Sequence, residues 1–169
     1  MWIDKDFERA ARKVKLLVFD FDGVFTDNRV YVAQSGEETV VCDRSDGMGI
    51  SMLRSAGLPM VIISTEKNPV VAVRGFKLNV DVLQGIENKL PTLSEWVAAH
   101  QLSIDQVAFV GNDINDVECL KAVGFGVVVA DAYSVAIDAA DFVLSKKGGR
   151  GAVREVADLW LAANPSPPR

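Results

Sequence analysis

Residues 15–27 read Lys15-Leu-Leu-Val-Phe-Asp20-Phe-Asp22-Gly-Val-Phe-Thr26-Asp27. Lys15–Asp20 is a continuous apolar run that ends in an acid. Such a run marks a parallel strand buried on both faces, with polar groups displayed at its carboxyl end. Similar runs recur at Met60–Ser64, Gln106–Val110 and Phe125–Val129, with a weaker one at Val80–Leu83. A short helix over Asp4–Arg12 is expected before the first of them. Between the others lie stretches with helical spacing. Met48, Met52, Leu53 and Ala56 form one predicted face, stopped by Gly57. Asn68-Pro69 predicts the start of a second helix, with Val70, Val73 and Phe76 on or near its inner face. Leu90, Leu93 and Val97 line a third, and Ile114, Val117 and Leu120 a fourth. The alternation predicts an α/β fold, a Rossmann-like doubly wound parallel sheet. Arg29–Ala33 and Glu38–Cys42 break it: they flank the turn-forming Gln34-Ser35-Gly36-Glu37 and predict an inserted β-hairpin at about 29–42. A single domain is expected over 1–163, with 164–169 a disordered tail.

Composition narrows the function. The 169 residues are 49% hydrophobic and 24% charged, enough for one domain with a sizeable core. With 18 Lys+Arg against 23 Asp+Glu the net charge is −5, which argues against a nucleic-acid or anionic-membrane partner. The apolar runs are too short for a membrane span, and the start lacks the basic-then-apolar layout of a signal peptide. Cys42 and Cys119 stand outside any C-x-x-C spacing and read as small core residues of a cytoplasmic protein. His100, the single histidine, ends the third helix and is read as a helix-terminal residue, not a base. Trp2, Trp96 and Trp160 have no common spacing and read as packing or interface residues. Gly148-Gly-Arg-Gly151 lacks the Lys-Ser/Thr of a P-loop.

Ligands of such sheets bind beyond the carboxyl ends of the strands. There the chain places Asp20 and Asp22, then Ser64-Thr65-Glu66, then Gly111-Asn112-Asp113-Ile114-Asn115-Asp116. Asp20, Asp22, Asp113 and Asp116 would bring up to four carboxylates to one edge, where they would raise one another's pKa. A hard divalent cation resolves that repulsion, and oxygen ligands without a nearby His or Cys favour Mg²⁺ over zinc.

The ordered set Asp20-Phe-Asp22-Gly-Val-Phe-Thr26-Asp27, Ser64, Lys89 and Gly111-Asn-Asp-Ile-Asn-Asp116 resembles the four motifs of the haloacid dehalogenase superfamily of phosphatases. The likeness extends to the segment Lys147–Glu155. It is strongest to the capless, tetrameric subfamily acting on sugar-acid phosphates. The resemblance implies that Asp20 attacks phosphorus and becomes an aspartyl-phosphate, while Asp22 protonates the leaving oxygen and then activates water. It implies that Ser64 and Lys89 stabilise the phosphoryl group, with Asp116 orienting Lys89 or a metal-bound water. Mg²⁺ would be held by Asp20, the Asp22 carbonyl and the fourth-motif loop, through Asn112 or Asp113. The family usually carries Asp where this chain has Asn112, which removes one negative charge. Thr65, Glu66, Arg74 and Lys77 are the implied substrate-binding residues, with Arg150 and Arg154 further candidates for reaching a neighbouring site. Their pattern resembles the phosphatases of nine-carbon ulosonic acid 9-phosphates more than those of octulosonate 8-phosphate.

No cap domain fits in the 41 residues between Asp22 and Ser64 or the 24 between Ser64 and Lys89. The resemblance accordingly implies a homotetramer in which neighbouring subunits cover the sites and hairpins pack together. The bland reading of the hairpin is an extension of the sheet edge. Two other functions are weighed. A catalytically weakened oligomerisation or regulatory domain for CMP-sialic acid synthesis rests on Asn112. A phosphoacceptor receiver also uses Asp, Ser/Thr, Lys and Mg²⁺, but it places its acid pair on strand one and its phosphorylated Asp later, the reverse of the order here.

Overall fold

A computed structural model of the chain describes residues 5–165. Trp2, Asp4 and the last four residues of the expected tail lie outside that range. After helix α1 (Lys5–Ala11) comes strand β1 (Leu16–Phe19), then a hairpin of β2 (Thr26–Val32) and β3 (Glu38–Cys42). Alternation follows: α2 (Arg44–Ser55), β4 (Met60–Ile63), α3 (Val70–Leu78), β5 (Asp81–Leu83), α4 (Lys89–Ala99), β6 (Val107–Gly111), α5 (Val117–Ala122), β7 (Phe125–Val128), α6 (Ser134–Ile137), β8 (Phe142–Val143) and α7 (Ala152–Ala163).

Six strands form one sheet in the order β5-β4-β1-β6-β7-β8, and all five pairings are parallel. The expected doubly wound architecture is borne out. The two-residue β8 was not foreseen, being too short to show a period. Side chains alternate between two cores, as a period of two requires. Leu17, Phe19, Ile62 and Val110 face α1, α2, α3 and α7, while Leu16, Val18, Ile63 and Phe109 face α4 and α5. Burial on both faces explains the unbroken apolar runs. The chain winds from β1 to β4 and β5 on one side and then to β6, β7 and β8 on the other. The switch point therefore lies beside the carboxyl end of β1.

The hairpin is a separate two-stranded antiparallel sheet and does not extend the main one. Its pairing shifts register between Thr26 and Val30, which twists the ribbon as it leaves the body. Asn164 is tied down by its side chain to Trp160 O and Ala11 O, so the frayed segment does not begin there.

Two predicted helix faces need correction. In α2 the buried residues are Asp46, Gly49, Ile50 and Leu53, while Met48 and Ala56 are exposed. The reason is close packing on α7: a Cβ on Gly49 would lie 2.9 Å from Arg154 Cα. In α3 the buried residues are Val71, Gly75 and Leu78; Val73 is 66% and Phe76 89% exposed. Here Gly75 presses on β5, its missing Cβ lying 2.1 Å from a Val82 methyl. Ile114 is also exposed, since it sits in a 3-10 turn (Ile114–Asp116) ahead of α5. Cys119 is buried and Cys42 half-buried, and both are free thiols.

Candidate active site

Asp20 is the first residue beyond β1 and is buried. Its Oδ1 accepts hydrogen bonds from Phe21 N and from Lys89 Nζ, each at 2.7 Å. Lys89 opens α4, and it is itself only 2% exposed. The same ammonium lies 2.7 Å from Asp116 Oδ1. Asp116 Oδ2 in turn accepts from Asn112 N at 2.8 Å and Asp113 N at 3.3 Å. Three elements are thus pinned by one buried carboxylate–ammonium–carboxylate bridge carrying one net negative charge. Burial and the Asp116 charge push the Asp20 carboxyl up to about 7, against the pull of Lys89. Burial draws the Lys89 ammonium down, but its two carboxylates outweigh that and hold it above the usual lysine value.

The four expected carboxylates gather at this edge, Asp20, Asp22 and Asp113 at one cleft and Asp116 behind it on Lys89, but their side chains do not all turn to one point. Among the described residues no group of three or more His, Cys, Asp or Glu is placed to hold a metal. Asp116 is consumed by Lys89 and two backbone amides. Asp113 turns back to cap the following turn, its Oδ1 accepting from Ile114 N at 2.6 Å. The residue facing Asp20 is Asn112, which is buried. One end of its amide lies 2.9 Å from the Asp22 carbonyl oxygen and 3.3 Å from Asp20 Oδ2. Both neighbours are acceptors, so the amide nitrogen at that end satisfies them. Rotated by half a turn, the same amide would present its oxygen there instead. Gly23 makes the approach possible: its φ is +79°, and a Cβ there would lie 2.1 Å from the Asn112 amide.

Asp22 leans out of the bridge. Burial, then Glu66, raise its carboxyl above the ordinary carboxylate range; Thr26 and Lys89 oppose them and Glu38 adds to them. Thr26 is buried and its Oγ1 accepts from Gly23 N at 3.1 Å and Asn28 N at 3.2 Å, which shapes the turn that carries Asp22. Ser64, buried at the end of β4, accepts from Glu66 N at 3.1 Å. Asp20, Asp22, Asn28, Thr65, Asn112 and Asp113 line a cleft of about 320 Å³.

Other expected residues stand elsewhere. Glu66 lies in an adjoining cavity that shares Asp22 and Asn28 with the cleft. Arg74 and Lys77 line a groove of about 570 Å³ with Arg44, which meets that cavity at Val40 and Val70 rather than at Asp20. Arg74 is anchored by a bond from Nη2 to Asp43 O at 3.2 Å. Arg150 lies 3.4 Å from Asp27, and Arg154 Nε 2.9 Å from Asp158. His100 stacks on Trp96, away from the cleft. Residue reading passed over Asn28, Glu38 and Asn68 as site residues. The φ of +62° at Asn28 had a weak sequence signal in Asp27-Asn28; the other two had none.

Comparison with known proteins agrees with this architecture. Residues 61–156 match the family model of haloacid dehalogenase-like hydrolases. The chain is 37% identical over 162 residues to the 3-deoxy-D-manno-octulosonate 8-phosphate phosphatase KdsC of Escherichia coli, covering 95% of this chain and 86% of that one. A structure from Streptomyces avermitilis, assigned to the HAD hydrolase family, superimposes with a TM-score of 0.87 at 45% identity, covering 89% of this chain and 87% of that one. The 3-deoxy-D-manno-octulosonate 8-phosphate phosphatase of Moraxella catarrhalis, solved with magnesium, phosphate and KDO, gives 0.90 at 29% identity, covering 94% and 91%. With the Asp20–Asp22 turn, the Lys89 bridge and the open parallel sheet in place, this chain belongs to the haloacid dehalogenase-like hydrolases.

Proposed function

We propose that this chain is a divalent-metal-dependent phosphatase that hydrolyses a sugar-acid phosphate through a phosphorylated Asp20. The observation that carries the proposal is the division of labour at Asp20. Its Oδ1 is held by Lys89 and Phe21 N, while its Oδ2 faces the Asn112 amide at the cleft, and that amide also meets the Asp22 carbonyl. The Asn112 amide lies 2.9 Å from the Asp22 carbonyl oxygen and 3.3 Å from Asp20 Oδ2, so an amide turned to present its oxygen would join those two in a set that fits a hard cation such as Mg²⁺. Bound there, the cation would supply positive charge that draws the phosphoryl group to Asp20 and offsets the charge developing in transfer.

In the first step an Asp20 oxygen bonds to phosphorus as the bond from phosphorus to the sugar oxygen breaks. Asp22, kept protonated more readily by burial and by Glu66, gives its proton to the departing oxygen. Lys89 and the Ser64 hydroxyl stabilise the transferring group. In the second step Asp22 takes a proton from water, the water oxygen bonds to phosphorus, and the Asp20 carboxylate is released with inorganic phosphate. Asp116 positions Lys89 and ties the Asn112 backbone to it.

The relatives named for octulosonate 8-phosphate make that compound the first substrate to test, ahead of the nine-carbon acid suggested by Glu66, Arg74 and Lys77. Because Arg74 and Lys77 sit in a separate groove, their substrate role would be exercised on a neighbouring subunit's site. Val30, Tyr31, Val32 and Val41 of the hairpin are 46–66% exposed, an apolar surface consistent with a homotetramer in which subunits cover one another. No helix among the described residues is long and apolar enough to cross a membrane.

The test is phosphate release from octulosonate 8-phosphate and a nine-carbon ulosonate 9-phosphate with Mg²⁺ or EDTA, alongside Asp20→Asn. Turnover that needs Mg²⁺ and vanishes in Asp20→Asn is expected. A folded wild-type protein without turnover would favour the assembly-domain alternative. Mass in solution checks the tetramer, and a monomer would remove it.

A further inference from the structure

Strand β3 alternates, with Glu38, Val40 and Cys42 half-buried against the body and Thr39 and Val41 exposed. A carboxylate on the inward face of such a strand needs a partner, since burying it without one is costly. Glu38 has one: its Oε2 accepts from Asn68 Nδ2 at 3.1 Å. Asn68 is itself held twice more. Its backbone N–H donates to Glu66 Oε1 at 2.7 Å, and its Oδ1 accepts from Val70 N at 3.0 Å at the start of α3. The hairpin is therefore strapped to the β4–α3 loop through a single fixed amide. The second carboxylate oxygen of Glu38, Oε1, has no hydrogen-bond partner among the described residues.

Glu38 lines a cavity of about 280 Å³ with Asp22, Asn28, Arg29, Glu66 and Asn68. Asp22 and Asn28 also line the cleft that holds Asp20, so the two spaces join at the proposed acid. A leaving group whose oxygen is protonated by Asp22 must extend from that oxygen away from Asp20. The cavity adjoins the cleft at Asp22 and offers such a space within the same subunit. We propose that Glu38, fixed by Asn68, is a specificity-determining residue whose open carboxylate oxygen accepts a hydrogen bond from a hydroxyl of the leaving sugar. The proposal rests on the phosphatase reading and deepens it. It makes the hairpin part of its own subunit's substrate site, with Glu66 a second acceptor.

The chemistry follows from the donor inventory. An ionised carboxylate only accepts, and a polyol offers a donor at nearly every carbon, whereas an aryl leaving group offers none. A site built on hydroxyl recognition discriminates strongly against a compound that lacks the hydroxyl, because its polar groups are then left unpaired.

The experiment compares 3-deoxy-D-manno-octulosonate 8-phosphate with p-nitrophenyl phosphate, in Mg²⁺, for wild type, Glu38→Gln and Asn68→Ala. In Glu38→Gln the new amide oxygen takes the Asn68 bond and its NH₂ faces the cavity, so an acceptor becomes a donor at nearly unchanged shape. The expected result is a fall of about tenfold or more in kcat/KM for the sugar phosphate, mainly through KM, with a far smaller fall for the aryl phosphate. Asn68→Ala leaves the carboxylate but frees it, so a smaller loss of the same selectivity is expected; this variant decides the matter if Glu38→Gln does not fold. Equal losses on both compounds would overturn the proposal, because a purely structural role lowers both. Wild-type turnover of both compounds without preference for the sugar would overturn it while leaving the phosphatase reading intact. Wild-type inactivity on both would remove that reading and the proposal with it.

Discussion

Replacing Lys89 by Met removes the single cation between Asp20 and Asp116 at nearly constant volume. Its Nζ lies 2.7 Å from an oxygen of each acid, and the three side chains are 1%, 5% and 0% exposed. Without it, two carboxylates remain largely buried side by side, and water from the cleft reaches Asp20 at its Oδ2 but does not replace the ammonium between them. Breaking a buried pair by removing one partner costs about 3–5 kcal/mol. For a domain of this size each kcal/mol lowers the melting temperature by about 2–4 °C, so a drop of about 6–20 °C is expected at pH 8 in EDTA. Calorimetry provides the measurement, and pH provides an internal control. With the ammonium gone, the folded variant binds a proton more tightly than its unfolded chain does, so its stability rises as pH falls from 8 toward 5. Lys89→Met combined with Asp116→Asn should recover much of the loss, because one of the stranded charges is then absent. A melting temperature for Lys89→Met within about 2 °C of wild type at pH 8 would refute the reasoning, for such a change is what a solvated surface pair gives.

Asp46 is wholly buried with Oδ2 unpartnered, its Oδ1 accepts from Arg154 N at 2.9 Å, and burial pushes its carboxyl up to about 6. A raised folded pKa means that stability falls as pH climbs from about 4 to 6; Asp46→Asn should therefore gain on the order of 1–2 kcal/mol above pH 7 and nothing near pH 3.5, measured by urea unfolding at both pH values. A Cβ on Gly148 would lie 1.8 Å from Gly23 O, so Gly148→Ala should displace the turn behind Asp22, lowering kcat and costing about 1–3 kcal/mol of stability. Asn112→Asp should bind Mg²⁺ about tenfold more tightly by calorimetric titration, since ligand charge sets such affinities. In EDTA the same variant should melt lower, because a carboxylate there faces Asp20 Oδ2 and the Asp22 carbonyl, where the amide can donate to both.

What could be read from the chain alone was whatever the backbone settles locally. A run such as Leu16–Phe19, apolar at every position, is compatible with a parallel strand covered on both sides, and the polar residues after it must then fall on the carboxyl edge. Chain direction and strand period alone put Asp20, Asp22, Ser64, Thr65, Asn112 and Asp116 on that edge. The hairpin followed from its turn residues. The tertiary structure decided which atoms face one another. Adjacent Asn112 and Asp113 are equivalent on paper, yet only the first turns to Asp20, because Asp113 is spent on capping its own turn and Gly23 leaves room for the amide. The inner faces of α2 and α3 were misjudged because glycines at 49 and 75, not large apolar residues, mark where those helices press on α7 and β5. Arg74 and Lys77, one turn apart on α3, proved to line a groove of their own, and Glu38 met Asn68 from 30 residues away. Local periodicity carries backbone direction and burial, but pairing between side chains on different elements depends on distances that exist only once those elements have packed.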